Sequence, residues 1–331
     1  MALSRPLALF GRAAQALAAG TFLLTAGCAV QPADTRNIAK GVPCRYCDLR
    51  YRDFSVEDLS STDFSGSYFY GSDFSWSLLS KVTLRSATLN WARFEWADLD
   101  YADLSRASLE DALMYKVSLK SSDLRMANFS RAVMRSADLS DANCVTANFQ
   151  HAVLSDAWMP NSVFRYADLR GADLSGARLR DADFQGALLN KTDMRGTDVH
   201  NTNFAGATMR YANFSTTALF QTNFRGSDLR KANFRGALLD AVNFLGSDLR
   251  GADFSNATLR NVTLLGANLC GTRLPDGTQG GCQPGEDPEN IGLDESRPPP
   301  SPPAETPSAP PNAPLDGKAI PTLRNSETGP I

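Results

Sequence analysis

From Leu49 to Leu274 a large apolar residue returns at every fifth position, without a gap. The 46 positions hold 24 Leu, 15 Phe, 5 Met, Val199 and Cys144, and none is polar. Between Gln221 and Phe254 the chain reads QTNFR GSDLR KANFR GALLD AVNFL GSDLR GADF. On an α-helix five residues advance by ~500°, so these sites scatter around the axis and form no face. On a flat strand an odd spacing sends them alternately to opposite faces. Neither element buries them all, so the chain must turn a corner about once per pentad, with each large residue aimed at a common axis.

The residue two places earlier points to the same side of an extended chain. Those positions carry 25 Ala, 7 Ser, 7 Thr and 4 Val; the exceptions, Cys47, Arg52 and Glu57, all fall at the start. A wide and a small residue per pentad therefore face inward. Pentads such as Ala167-Asp168-Leu169-Arg170-Gly171 and Ala172-Asp173-Leu174-Ser175-Gly176, in one register over residues 47–274, resemble the pentapeptide-repeat family.

That resemblance implies an all-β fold, a right-handed quadrilateral β-helix with four pentads per coil. Dividing 46 pentads by four gives about eleven and a half coils, a rod of roughly 55 Å at ~4.8 Å per coil. Residues 20 apart then stack. Phe164, Phe184, Phe204, Phe224 and Phe244 form one column, with Phe214, Phe234 and Phe254 on the opposite face. The sustained repeat argues for one elongated domain over residues 44–274, although the length alone allows two. Pro160 removes a backbone donor and predicts a local irregularity between Trp158 and Asn161.

The flanks differ in composition. Residues 1–27 carry Arg5 and Arg12, an apolar run from Ala13 to Leu24 and small residues before Cys28, the pattern of a secretory signal. The stretch resembles a bacterial lipoprotein signal, which would make Cys28 the lipid attachment site and place the chain at a cell membrane or outer membrane. It departs from that pattern at Thr25, where Leu is most common. Plain secretion, an uncleaved anchor and an organellar transit peptide are other readings. Residues 28–43 read as a tether, on the order of 20 Å long as a flexible coil. Beyond Leu274, Pro275-Asp276-Gly277 is a turn signal, residues 275–296 are expected to cap the last coil, and the Pro-rich stretch 297–331 to be disordered.

Little in the chain points to catalysis. Of 27 Asp and Glu between Asp48 and Asp276, 17 are Asp immediately before the large residue, and nine Asn share that place. Such interchange fits a turn-bonding role better than acid–base chemistry. No nucleophile set, phosphate loop or metal spacing is present, and no cofactor is expected. Cys44 and Cys47 lie at one end of the rod and Cys270 and Cys282 at the other, which excludes a four-cysteine zinc site. Export favours two disulfides, a short brace at the N-terminal end and a closure at the C-terminal end. A redox-active CxxC is the other reading of Cys44 and Cys47, but no thioredoxin-like context accompanies it.

The resemblance also brings DNA mimicry, by which family members act on type II topoisomerases. That mode needs a strongly negative rod. Residues 48–276 carry 27 acids against 25 Lys and Arg, a difference of −2, which argues against nucleic-acid mimicry and leaves a regulator of that kind as the alternative.

Two surface features remain. Trp76, Trp91, Trp96 and Tyr101 fall two places after the large residue, on outward corners, with Trp76 and Trp96 one coil apart. Grouped exposed aromatics mark partner or glycan surfaces; alternatively, they stack on one another and cover corner backbone. Arg170, Arg210, Arg230 and Arg250 share a column that either meets phosphate or carboxylate groups or pairs with neighbouring acids. The functional expectation is a non-enzymatic, membrane-tethered rod that contacts an envelope protein or polymer.

Overall fold

A computed structural model describes residues 38–282. Expectations for residues 1–27, Cys28, the first part of the tether, residues 283–296 and the stretch 297–331 lie outside the described residues.

The chain winds as a solenoid whose backbone bridges are parallel and link residues 20 apart, from Asp48 with Tyr68 to Asp253 with Arg273. A left-handed φ recurs at every fifth residue from Tyr46 to Gly271, so each coil of 20 residues has four corners. Four short parallel strands run along one face, β1 (Asp198–His200), β2 (Ala218–Phe220), β3 (Leu238–Asp240) and β4 (Thr258–Arg260), paired in that order. Elsewhere the same pairing consists of single bridges.

One pentad shows why the period is five. Leu169 N–H donates to Leu188 O at 2.7 Å, Gly171 N–H to Asn190 O at 2.9 Å and Asp168 N–H to Ala147 O at 2.9 Å, tying the coil to both neighbours. Ala172 N–H closes the turn on Leu169 O at 3.0 Å. The remaining amide, that of Arg170, donates to the Asp168 side chain at 3.2 Å. All five donors are satisfied, as a buried backbone requires. Asn fills the Asp role equally well: Asn128 accepts from Ser130 N–H at 3.1 Å and Asn148 from Gln150 N–H at 3.0 Å. The acidic residue before the large one therefore serves the turn.

Inside, the Phe columns stack with ring centroids 4.8 to 5.2 Å apart from Phe164 to Phe244. Phe214, Phe234 and Phe254 stack at 4.9 and 4.7 Å. Burial of each such side chain contributes ~1.5–3 kcal/mol before backbone ordering is subtracted. Cys144 is fully buried in the core, and burial pushes its thiol pKa well above the ordinary value.

Pro160 leaves the backbone bonding from Trp158 to Asn161 in place, where the sequence predicts a local irregularity. It occupies the place of Arg170 in its own pentad, which outside β1–β4 is not a bridged position, and the bridges of Trp158 continue to Asp138 and Arg178. Its fixed φ suits the second residue of a type II turn, with Asn161 at φ 57° as the third.

The tether also ends earlier than the sequence suggests. Ile38 packs against the core. Lys40 pairs with Asp58 at 2.6 Å, and Gly41 N–H donates to the Thr62 hydroxyl at 2.9 Å. Residues 38–43 thus cap the first coil. At the other end the chain reverses, with Arg273 bridging antiparallel to Gln279 and Leu274 N–H donating to Thr278 O at 2.8 Å. Cys44 is bonded to Cys47 and Cys270 to Cys282, one disulfide at each cap.

Candidate interaction surface

Each corner residue sits in the left-handed region, where only Gly is free of strain. Among the 46 corners, 33 are nevertheless not Gly, and Val56, Thr146 and Thr216 are even β-branched. From this backbone the corner side chain lies along the rod, toward the corner 20 residues on. The Tyr46 ring covers Gly66 and the Tyr51 ring covers Gly71, so closely that a Cβ on either glycine would sit 2.5 or 2.9 Å from ring atoms. His151 over Gly171 and Tyr166 over Gly186 repeat the arrangement. At these four sites the ring is met by glycine one coil later and at a fifth by a flat partner, whereas Trp91, Trp96, Tyr101 and Tyr211 face Asp111, Lys116, Ser121 and Lys231.

Trp76 takes the second option. Its ring stacks on Trp96 at 4.9 Å with planes 6° apart, and the Lys116 ammonium lies over the Trp96 ring at 4.2 Å. Tyr115 meets Trp96 edge-on at 5.9 Å. Mutual stacking thus consumes ring faces and presents ring edges. The structure places Trp91 and Tyr101 on the two adjacent corner columns. All four of these residues are open to solvent, with Trp76 58%, Trp91 56%, Trp96 43% and Tyr101 62% exposed.

Several aromatics escape a reading confined to corners. Tyr46 is a corner residue that belongs to the irregular first coil. Tyr68, Tyr70 and Tyr115 stand one place before or after the large residue, places that also point outward, and all are exposed. Tyr51 meets Tyr70 edge-on at 5.5 Å. The signal was available in the sequence, because every residue that is not one of the two inward places of a pentad faces out.

The Arg column is not an open cationic stripe: of the two readings of the sequence, the geometry fits pairing with neighbouring acids. Arg170 binds the Asp168 carboxylate through two nitrogens, the shorter contact being 2.6 Å. Arg210 and Arg230 both grip Asp228, at 2.7 and 2.8 Å, and Arg250 grips Asp248 at 2.6 Å. The side chains of Arg210 and Arg230 are only 12% and 10% exposed. Burial would raise the Asp228 pKa, but hydrogen bonds from Arg230 and Arg210 outweigh it and hold the carboxyl below its ordinary value. The column is an ion-pair ladder, built because Asp two places before Arg lies within fork reach on the same face.

Asparagines form a second ladder, with Asn203 donating to Asp183 and Asn223 to Asn203, each at 3.0 Å. Among the described residues there is no group of three or more His, Cys, Asp or Glu placed to hold a metal. No described helix is long and apolar enough to cross a membrane.

The family matches agree with this architecture. A family described as pentapeptide repeats matches over 58–95, 77–114, 112–145, 127–165 and 147–186, and one described as a pentapeptide repeat region matches 197–274. No curated protein matches the chain. Among solved structures, HetL from the cyanobacterium Nostoc sp. strain PCC 7120, a pentapeptide repeat protein involved in heterocyst differentiation regulation, is 26% identical. The match covers 71% of this chain and 92% of HetL, with a TM-score of 0.31. A trypsin-treated form of QnrB1, a plasmid-mediated fluoroquinolone resistance protein, is 22% identical over 54% of this chain and 87% of its own, with a TM-score of 0.39. A pentapeptide repeat protein from the Arabidopsis thaliana thylakoid lumen is 32% identical over 35% of this chain and 70% of its own, with a TM-score of 0.13. With its corners, ladders and Phe columns in the register of those repeats, and family matches over more than half of its length, the chain belongs to the pentapeptide repeat family.

Proposed function

We propose that the chain is a non-enzymatic, exported rod, held at a membrane through Cys28, that makes protein–protein or envelope-polymer contacts. One observation carries the binding part of this reading. The rod pairs many of its charged and amide groups on itself, through the Arg–Asp and Asn ladders, while leaving Trp76, Trp91, Trp96 and Tyr101 uncovered. Surfaces of that composition are recognition surfaces rather than reaction centres. Membrane tethering rests on the signal-like composition of residues 1–27 and the small residues before Cys28.

A DNA-mimicking regulator would need carboxylates that stay uncompensated along the rod. Asp168, Asp193, Asp228 and Asp248 each hold an Arg two residues on, which removes that pattern from their columns.

Two measurements test the reading. Metabolic labelling with radioactive fatty acid should mark the wild-type chain and leave Cys28→Ser unlabelled; recovery of the full-length chain from the cytosol would overturn the tether. Cross-linking in intact cells should recover a set of envelope components that shrinks when Trp76, Trp91 and Trp96 are all replaced. An unchanged set removes those residues from partner binding.

A further inference from the structure

Eight of the eleven exposed aromatics of the described residues lie toward one end and centre on one edge of the rod; Tyr101 stands on the opposite corner column, and Trp158 and Tyr211 lie in later coils. Tyr51 and Trp91 stand on a single corner column. Tyr68 and Tyr70 lie on the face to one side of it, with Tyr46 at that face's far corner. Tyr115 lies on the face to the other side, with Trp76 and Trp96 at its far corner. All of these residues are exposed. They fall between residues 46 and 115, a span of about 17 Å at ~4.8 Å per coil. The charged groups among them are largely neutralised in place: Arg50 binds Asp48 at 2.6 Å, and Arg93 lies 3.3 Å from Glu95 and 3.8 Å from Asp73.

We propose that this aromatic edge docks on a lipid bilayer, so that the rod leans against the membrane with Trp76, Trp91 and Trp96 in the headgroup layer. The proposal rests on the reading of the chain as a membrane-tethered rod and names what its aromatic corners touch. Three features favour lipid over a rigid partner. The patch wraps a convex edge, where a flat protein surface meets only one of the two faces, whereas a headgroup layer deforms to meet both. Its composition is Trp and Tyr presenting ring edges, the amphipathic groups that concentrate where one end is apolar and the other wet. Its place is the N-terminal end, where Ile38 seals the first coil only ten residues after Cys28. Ten residues of chain, even fully extended, reach at most ~36 Å, which keeps these coils close to a bilayer that holds Cys28.

The chain has four Trp in all, and the fourth, Trp158, lies in a later coil under Arg178, whose guanidinium is 4.9 Å from its ring. That makes Trp158 an internal control. The full chain is mixed with phosphatidylcholine vesicles whose acyl chains are brominated near the carbonyl, in two forms, Trp158→Phe and the triple variant Trp76→Phe, Trp91→Phe and Trp96→Phe. The first should lose at least half of its fluorescence relative to unbrominated vesicles and shift to the blue, also at 1 M salt; the second should change little. Co-sedimentation with vesicles but equal or absent quenching in the two forms overturns the docking and leaves the tether standing. Failure to co-sediment overturns both. If the three tryptophans stay unquenched while their replacement strips a cross-linked envelope protein, the edge is a protein site and the bilayer proposal is lost.

Discussion

The coils between residues 46 and 120 and those between residues 186 and 270 obey one five-residue rule, yet finish their surfaces in different ways. In the first group corners carry Tyr46, Tyr51, Trp76, Trp91, Trp96 and Tyr101, all in the left-handed region and all exposed. In the second, one edge is Gly186, Gly206, Gly226, Gly246 and Gly266 in succession, and the adjoining face is the ladder of Asp228, Arg230, Asp248 and Arg250. The interior cannot account for the contrast, since Phe rings stack in both groups, Phe74 on Phe94 at 4.9 Å and Phe204 on Phe224 at 5.2 Å. Backbone strain is thus relieved along that one glycine edge, while corners with projecting side chains, Lys191, Tyr211 and Lys231 among them, retain it.

The comparison can be broken first through the core. Leu229→Asp places a carboxylate where the side chain is fully buried, a change worth several kcal/mol or more. Loss of cooperative unfolding or of soluble expression is expected; an unaltered melting curve would refute the register. A smaller effect separates the two ion-pair settings. Asp228→Ala removes the shared partner of Arg210 and Arg230 and, discounted for solvent screening, should cost about 1–2 kcal/mol by chemical denaturation. The corresponding Asp48→Ala, in a pair about half exposed, should shift the midpoint far less.

Gly66→Ala and Gly206→Ala sharpen the contrast at the corners. Both impose a left-handed Ala, at about 1 kcal/mol, but only the first drives a methyl into a ring, that of Tyr46. The first variant should be the less stable, and Tyr46→Ser should erase the excess; a difference that survives that replacement would disprove the ring-over-glycine rule. The smallest effect is expected in acid. The side-chain hydrogen bond from Lys40, then that of Ser60, lowers the Asp58 pKa from 3.8 to about 2. A depressed carboxyl stabilises the folded cap above the unfolded value, and the contribution is lost as pH falls through about 2. Amide exchange at Gly41 should therefore accelerate between pH 4 and 2, with no such step in Asp58→Asn.

The inward half of each pentad was legible in the sequence, because burial tolerates no polar residue at Leu169 or Phe224 and the interchange of Asp with Asn exposes a turn-bonding role. Outward positions were harder. Pro160 reads as disruptive in the sequence, whereas its place, like that of Arg170, lies between bridged positions and its missing donor is not needed there. Ile38 reads as part of a tether, since the scattered apolar residues before Pro43 carry no periodicity. The Arg column could be read as open because its acids precede it in sequence, and only the fold shows Asp228 between two guanidinium groups. The lie of the corner rings depends on a partner 20 residues away, and becomes readable once the coil length is known.

The strict offset of 20 between bridged residues also sets how such a rod can be lengthened. A block of 20 residues inserted at a turn such as Ser140–Asp141 would add one coil and leave every column in line. A block of five would fit the local pattern equally well, yet would turn everything beyond it by a quarter. The ladder around Asp228 would then face a different way from the edge of Tyr51 and Trp91. Insertions in single pentads therefore re-aim one end of the molecule against the other without touching a core residue, a dial that length alone can set.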